Sequence, residues 1–353
     1  MKIEVYSPTI RRKEMDAVLT AMVDDKIGPG EQAKLLIQIA KEHLGFDYCI
    51  ALRSPAIALF IALKSLQIEK GQGVVISALS PRYYLNVIED LGLKPIYADV
   101  ASTAACMDKE AVEKALLQDI PARCIVVHHT LGFTPDVNAI SQLGLPVIED
   151  ISQSYGTSSA EKGEKAEKEE VKLGATGVFT ILGMEERDMI TAGGGALLYA
   201  VNKRDATVLK NLGDIPPEYA LPDMNAAMAI VQLREAAKNL EKRKEIAQVY
   251  IHASLRTRHK RFIQRDDADY NNYAFPLILE TGMKDVKAYA KRKEIEVESA
   301  FDNTLVGSGI VALAQELCPE SYSLSLRTVL FPLYPRLGSA ATEKVAKLIV
   351  SLP

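Results

Sequence analysis

Pro146-Val147-Ile148-Glu149-Asp150-Ile151-Ser152-Gln153 is the stretch on which the fold is read. Val147 to Glu149 reads as a short strand with an acid, Asp150, at its carboxyl end. Taken alone, an Asp in that place also suits a helix cap. Working back toward the N-terminus, the same unit recurs. Val137–Leu143 reads as a helix, Cys124–His128 as a strand, Asp108–Leu117 as a helix, Lys94–Asp99 as a strand, Tyr83–Leu91 as a helix and Val74-Val75-Ile76 as a buried strand. Apolar triplets separated by amphipathic helices are the pattern of βαβ units on a sheet covered on both faces.

The flanks extend that reading. Ile50–Leu52 is a strand, and Ser54-Pro55 opens a helix to about Leu66, since serine at N-cap with proline at N1 is a strong start. Pro8–Val23 and Glu31–Leu44 are helices divided by Gly28-Pro29-Gly30. Downstream, Glu161–Lys172 is almost free of apolar residues and reads as a solvated hairpin or loop. Gly177–Leu182 and Ala196–Ala200 are strands around a loop holding Gly193-Gly194-Gly195. Asn225–Leu255 is one long helix, and the domain boundary falls inside it: residues 1–240 form a large domain and 241–353 a small one. The small domain runs strand (Tyr273–Leu279), helix (Lys284–Lys293) and a closing helix from Ala341.

Composition excludes several functions. With 353 residues, 48% hydrophobic and 25% charged, the chain is a globular protein of two domains. A net charge of −4 argues against nucleic acid as the main partner. The basic cluster Arg256–Arg261 has no interleaved aromatics and reads as a solvated loop. Cys49, Cys106, Cys124 and Cys318 form no CxxC pair, so no zinc site is expected and the thiols suit a reducing compartment. Without an apolar leader or a run long enough to span a bilayer, the expected location is cytoplasmic, with no membrane partner.

Several stretches, in order, resemble the DegT/DnrJ/EryC1/StrS sugar aminotransferase family. They are Ile27-Gly28-Pro29-Gly30-Glu31, then His43-Leu44-Gly45, Leu93 to Val100, Pro146 to Gln153, Gln232-Leu233 with the basic helix after it, and Phe331-Pro332-Leu333-Tyr334-Pro335-Arg336-Leu337. The resemblance runs from about residue 7 to the end. It implies an α/β, type I pyridoxal-phosphate-dependent transferase fold: a large domain with a mixed, mostly parallel sheet flanked by helices, plus a smaller C-terminal α+β domain. It also implies a homodimer. In that frame Asp150 matches the acid that keeps the cofactor's pyridine nitrogen protonated. Gln153 matches the residue near the ring oxygen, and Thr180 and Ser54 match phosphate contacts. His129 and Asn86 also sit at family-like positions, though each also suits a buried polar group with partners.

The departures from the family are heavier. Where the resemblance calls for the Schiff-base lysine, the chain runs Phe179-Thr180-Ile181-Leu182-Gly183-Met184-Glu185-Glu186-Arg187, and Glu185 takes the place, with an offset of one or two in a longer loop. No lysine lies between Lys172 and Lys203, and a carboxylate forms no imine. The phosphate loop reads Ser54-Pro55-Ala56, so a backbone donor and a hydroxyl are lost. Pro81 stands at the family's stacking aromatic, and Glu218-Tyr219-Ala220 at its Asn-Tyr-Arg stretch. Arg53 and Arg82 adjoin these places as candidate anion contacts, or they face solvent or pair with Glu185 and Glu186.

Three functions are therefore open. One is a family member without transaminase activity, binding pyridoxal or pyridoxamine phosphate weakly or not at all, and serving as a partner, scaffold or binder of a small anionic or sugar ligand. Another is an enzyme holding pyridoxamine phosphate non-covalently with Glu185 as base. The third is a transaminase whose lysine comes from Lys165, Lys168 or Lys172.

Overall fold

The computed structural model describes residues 2–161, 169–280, 282–309 and 314–353. In chain order the first half holds α1 (Arg12–Val23), α2 (Glu31–Leu44), β1 (Tyr48–Leu52), α3 (Pro55–Ser65), β2 (Gly73–Ser77), α4 (Tyr83–Asp90) and β3 (Lys94–Ala98). Then come α5 (Lys109–Ala115), β4 (Ala122–His128), α6 (Val137–Ser141), β5 (Val147–Asp150), β6 (Ser158–Glu161), β7 (Glu169–Lys172), β8 (Phe179–Gly183) and β9 (Ala196–Ala200). The remainder is α7 (Lys203–Lys210), α8 (Asp223–Ser254), β10 (Ala268–Asp269), β11 (Phe275–Ile278), α9 (Met283–Arg292), β12 (Glu298–Ser299), α10 (Ala314–Leu317), α11 (Pro319–Arg327), β13 (Thr328–Phe331) and α12 (Ser339–Val350).

The large sheet has seven strands in the order β1-β9-β8-β5-β4-β2-β3. Its β8-β5-β4-β2-β3 part is parallel, and β9 and β1 close one edge antiparallel. Every residue of β2, β5, β8 and β9 is buried, as strands covered on both faces require. One covering layer includes α3, opened by Ser54, whose Oγ accepts from Ile57 N at 3.3 Å, with Pro55 at N1. That helix is apolar on most of its circumference because it lies between the sheet and α4. The other layer includes α2 and the first half of α8, meeting around Leu36, Ile230 and Leu233.

α8 passes from one core to another. Ala226 to Ala236 belong to the core under the large sheet, and Ile246, Ala247 and Tyr250 belong to a second core with Leu277, Val329 and Ile349. That second core is built on the antiparallel sheet β11-β13-β12, backed by α9 and α12. A third sheet, β10-β6-β7, lies apart from both.

The acidic and basic run read as a hairpin is paired at its ends: β6 and β7 are antiparallel with Glu161 opposite Glu169. Lys165 and Lys168 lie outside the described residues. α1 starts at Arg12 rather than Pro8, because Glu14 accepts from Arg11 N at 2.9 Å and fixes the first turn there. The basic cluster after α8 is a turn with Arg256, Arg258, Lys260 and Arg261 exposed and His259 buried. All four cysteines are free and buried. No helix among the described residues is long and apolar enough to cross a membrane.

Candidate functional site

The carboxyl ends of parallel strands leave side chains at one rim of an open α/β sheet. Here β4 ends at His128, β5 at Asp150 and β8 at Gly183, and the register pairs His128 with Asp150 and Asp150 with Ile181. Above this rim lies a cavity of about 390 Å³, walled on its far side by the segment around β12. His128, Gln153, Arg187, Asp188, Tyr273 and Glu298 bring polar groups to its lining.

Asp150 is 1% exposed and fully bonded within the chain. Its Oδ2 accepts from Tyr83 Oη at 3.0 Å and Tyr84 Oη at 2.7 Å. Its Oδ1 accepts from Ser152 N at 3.0 Å and Ser152 Oγ at 2.5 Å. Burial and the facing Asp150 charge hold both tyrosines well above their ordinary pKa. Asp150 does not line the cavity.

Asp188 does line it. Its Oδ2 accepts from Glu185 N at 2.8 Å. Burial pushes its carboxyl up to about 7, the Glu185 N–H opposes that, and the charges of Asp150 and Glu185 add to it. The loop carboxyl that joins the Asp150 cluster is thus Asp188. Glu185 is exposed and sits in a different corner. A Cβ on Gly194 would lie 4.0 Å from Glu185 Oε2, Arg53 O and Asn225 Nδ2. Partial burial raises the Glu185 carboxyl, and the Gly195 N–H works against it.

Gln153 lines the cavity, and its Oε1 accepts from Leu131 N at 2.7 Å. Thr180 does not line it. The register places Thr180 beside Glu149, on the face opposite to Asp150, and its Oγ1 donates to Gly174 O at 2.7 Å. Ser54 uses its hydroxyl oxygen as the cap of α3. Arg53 and Arg82 are both exposed, neither lines the cavity, and among the described residues neither forms an ion pair with Glu185 or Glu186. Arg187 is the cation at the cavity wall, bridged to Glu298 and lying over the Tyr6 ring.

His129 is fully buried, with Nδ1 2.9 Å from Ser154 Oγ, and burial lowers it to about 3. Asn86 is exposed on α4 and takes no part in the cleft. His128 joins the site through Nδ1, 2.9 Å from Thr130 Oγ1, with its ring edge-on to Tyr84. Sequence reading passes over Tyr83, Tyr84, His128, Arg187 and Asp188. The only signals are the tyrosine pair beginning a helix after Pro81, and a loop carrying three acids where a fourth position decides.

The groups that the resemblance assigns to pyridoxal phosphate are engaged within the chain. Asp150 has no acceptor position left, no lysine lies in the loop, Pro55 offers no N–H, and the Ser54 and Thr180 hydroxyls are engaged elsewhere. Among the described residues no group of three His, Cys, Asp or Glu could hold a metal ion.

Comparison with known proteins bears on the whole chain. The family model for the DegT/DnrJ/EryC1/StrS aminotransferase family matches residues 8–350. Among solved structures, the PMP form of the putative sugar aminotransferase Spr1654 from Streptococcus pneumoniae superposes with a TM-score of 0.87 at 15% identity, covering 99% of this chain and 97% of that one. A DegT DnrJ EryC1 StrS aminotransferase from Brucella abortus gives 0.83 at 20% identity over 96% and 94%. The E. coli GDP-4-keto-6-deoxy-D-mannose-3-dehydratase with bound hydrated PLP gives 0.81 at 13% identity over 99% of each chain. At these identities the likeness is one of fold, and it is the type I architecture.

Proposed function

This chain belongs to the DegT/DnrJ/EryC1/StrS aminotransferase family, and from that premise we propose that it is a member without transaminase activity whose remaining cleft holds a small hydroxylated ligand of the sugar class. The observation that carries this is the lysine-free segment from Leu173 to Asn202, across the strand and loop that border the cleft. A transaminase must hold its cofactor as an imine and return a proton through the same amine. Neither a carboxylate nor a guanidinium does both.

The cavity supports a neutral or ammonium-bearing ligand over an anion. Asp188, Glu298 and Asp302 line it against Arg187 alone, and Arg187 is already bridged to Glu298. Arg53 and Arg82, the anion candidates, lie outside it. The protein acts as a cytoplasmic homodimer in this reading.

Incubation with pyridoxal phosphate, borohydride reduction and peptide mass mapping test it. The expected map has no adduct at a single lysine. An adduct confined to Lys165, Lys168 or Lys172 overturns the proposal in favour of a transaminase with a displaced lysine. Pyridoxamine phosphate binding that Glu185→Gln abolishes overturns it in favour of a non-covalent enzyme with Glu185 as base.

A further inference from the structure

A carboxylate offers about four in-plane acceptor sites. Asp150 uses all of them on its own chain: two tyrosine hydroxyls at Oδ2, and the amide and hydroxyl of Ser152 at Oδ1. The tyrosines are adjacent in sequence, on the first turn of α4, and their ring centroids are 5.0 Å apart at an interplanar angle of 67°. They are not equivalent. Tyr84 is 0% exposed and packs in the core against His128. Tyr83 is partly exposed, and the charge of Asp188, a cavity residue, acts on its hydroxyl. Neither Tyr83 nor Asp150 lines the cavity, so this hydroxyl and the carboxylate it bonds at 3.0 Å lie behind a lining that includes His128 and Asp188.

A phenol and a pyridinium are alike in outline. Each is a flat six-membered ring that presents one hydrogen-bond donor at its edge, and a buried carboxylate satisfies either. We propose that Tyr83 is a resident occupant of the ring slot above Asp150, and that this side chain, separately from the missing lysine, keeps a pyridine ring out of the cleft. The proposal rests on the reading that the cleft makes no covalent cofactor link, and it adds the residue that sets the cleft's specificity. It accounts for two features together: Asp150 has full bonding with no ligand, and the 390 Å³ cavity is bordered by His128 and Asp188 without reaching Asp150.

The probe is pyridoxamine phosphate, which has no aldehyde and so reports the ring slot without any lysine. Titration calorimetry is run on the wild type, Tyr83→Phe, Tyr83→Ala and Tyr83→Ala with Asp150→Asn, each checked by circular dichroism for an intact fold. Wild type and Tyr83→Phe are expected to show no saturable binding, because a ring fills the slot in both. Tyr83→Ala is expected to gain at least about tenfold in affinity, and the added Asp150→Asn to remove that gain. If Tyr83→Ala fails to fold, Tyr83→Val keeps an apolar neighbour for Tyr84 and gives the same reading. Binding by the vacated variant no tighter than wild type overturns the proposal, as does a gain that survives Asp150→Asn. A wild-type lysine adduct after borohydride would instead refute the preceding reading, so the two failures are distinguishable.

Discussion

Asp223, the first residue of α8, caps the N-terminus of α2: its Oδ1 accepts from Ala33 N at 2.9 Å and its Oδ2 from Gln32 N at 3.1 Å. The residue in the N-cap position of α2 is Gly30, which has no side chain for the task. A Cβ at Gly30 would come within 2.8 Å of Asp223 Oδ2, so the glycine is what admits the distant carboxylate. Asp223→Ala is expected to cost about 1–2 kcal/mol, the usual loss for a missing cap. Urea unfolding measures it. Gly30→Ala acts on the same contact, so the double variant should lose less than the sum of the single losses.

Glu149 is the second internal clamp. It is 1% exposed, and its carboxylate accepts from Gly177 N at 2.5 Å, Thr176 N at 3.0 Å and Gly174 N at 3.3 Å. The loop entering β8 is therefore folded onto β5. Glu149→Ala leaves three N–H groups unpaired, those of Gly174 and Gly177 buried and that of Thr176 part-buried, and is expected to destabilise by about 3 kcal/mol. Chemical denaturation gives the loss. A variant within about 0.5 kcal/mol of wild type would mean that water replaces the clamp at no cost.

Asp188 gives a pH dependence with a definite sign. Its carboxyl titrates at about 7 in the folded chain against an ordinary value of 3.8. Between those values the folded state holds a proton that the unfolded state has lost. Stability from this group is therefore highest at low pH and falls as pH rises from about 4 to about 7, at up to about 1.4 kcal/mol per unit. Glu149, raised by burial, acts in the same direction. His128 and His129, lowered by burial, act oppositely as pH falls below 6.5. Asp188→Asn isolates the term: its stability relative to wild type should climb from pH 4 to 7 and then level off. A flat difference across that window would show that Asp188 titrates normally.

The homodimer is testable through mass. Met15, Leu19, Met22 and Val23, spaced i, i+4, i+7 and i+8 along one face of α1, are 52–74% exposed. A contiguous patch of this kind is usually an interaction surface. Light scattering at micromolar concentration is expected to give about twice the 38.7 kDa chain mass. Leu19→Glu with Val23→Glu is expected to shift it toward the monomer.

Local sequence fixed what depends on near neighbours. The bounds read for α2 (Glu31–Leu44) and β9 (Ala196–Ala200) agree with the structure, and Ser54-Pro55 opens α3 as written, because periodicity and caps act within a few residues. α7, α11, β12 and β13 were not legible: β12 is two residues long and gains its identity only by pairing with Val329 and Leu330. The absence of lysine between Lys172 and Lys203 is a fact of sequence alone. Which side chain of Glu185-Glu186-Arg187-Asp188 turns into the cleft is not, since an irregular loop has no period to assign directions, and the chain brings Asp188 rather than Glu185 into the Asp150 cluster. The same holds for Tyr83 on Asp150, Asp223 on α2 and Asp99 on the first turn of α11. Each is a polar bond between residues far apart in the chain, where only the packed backbone sets the distance.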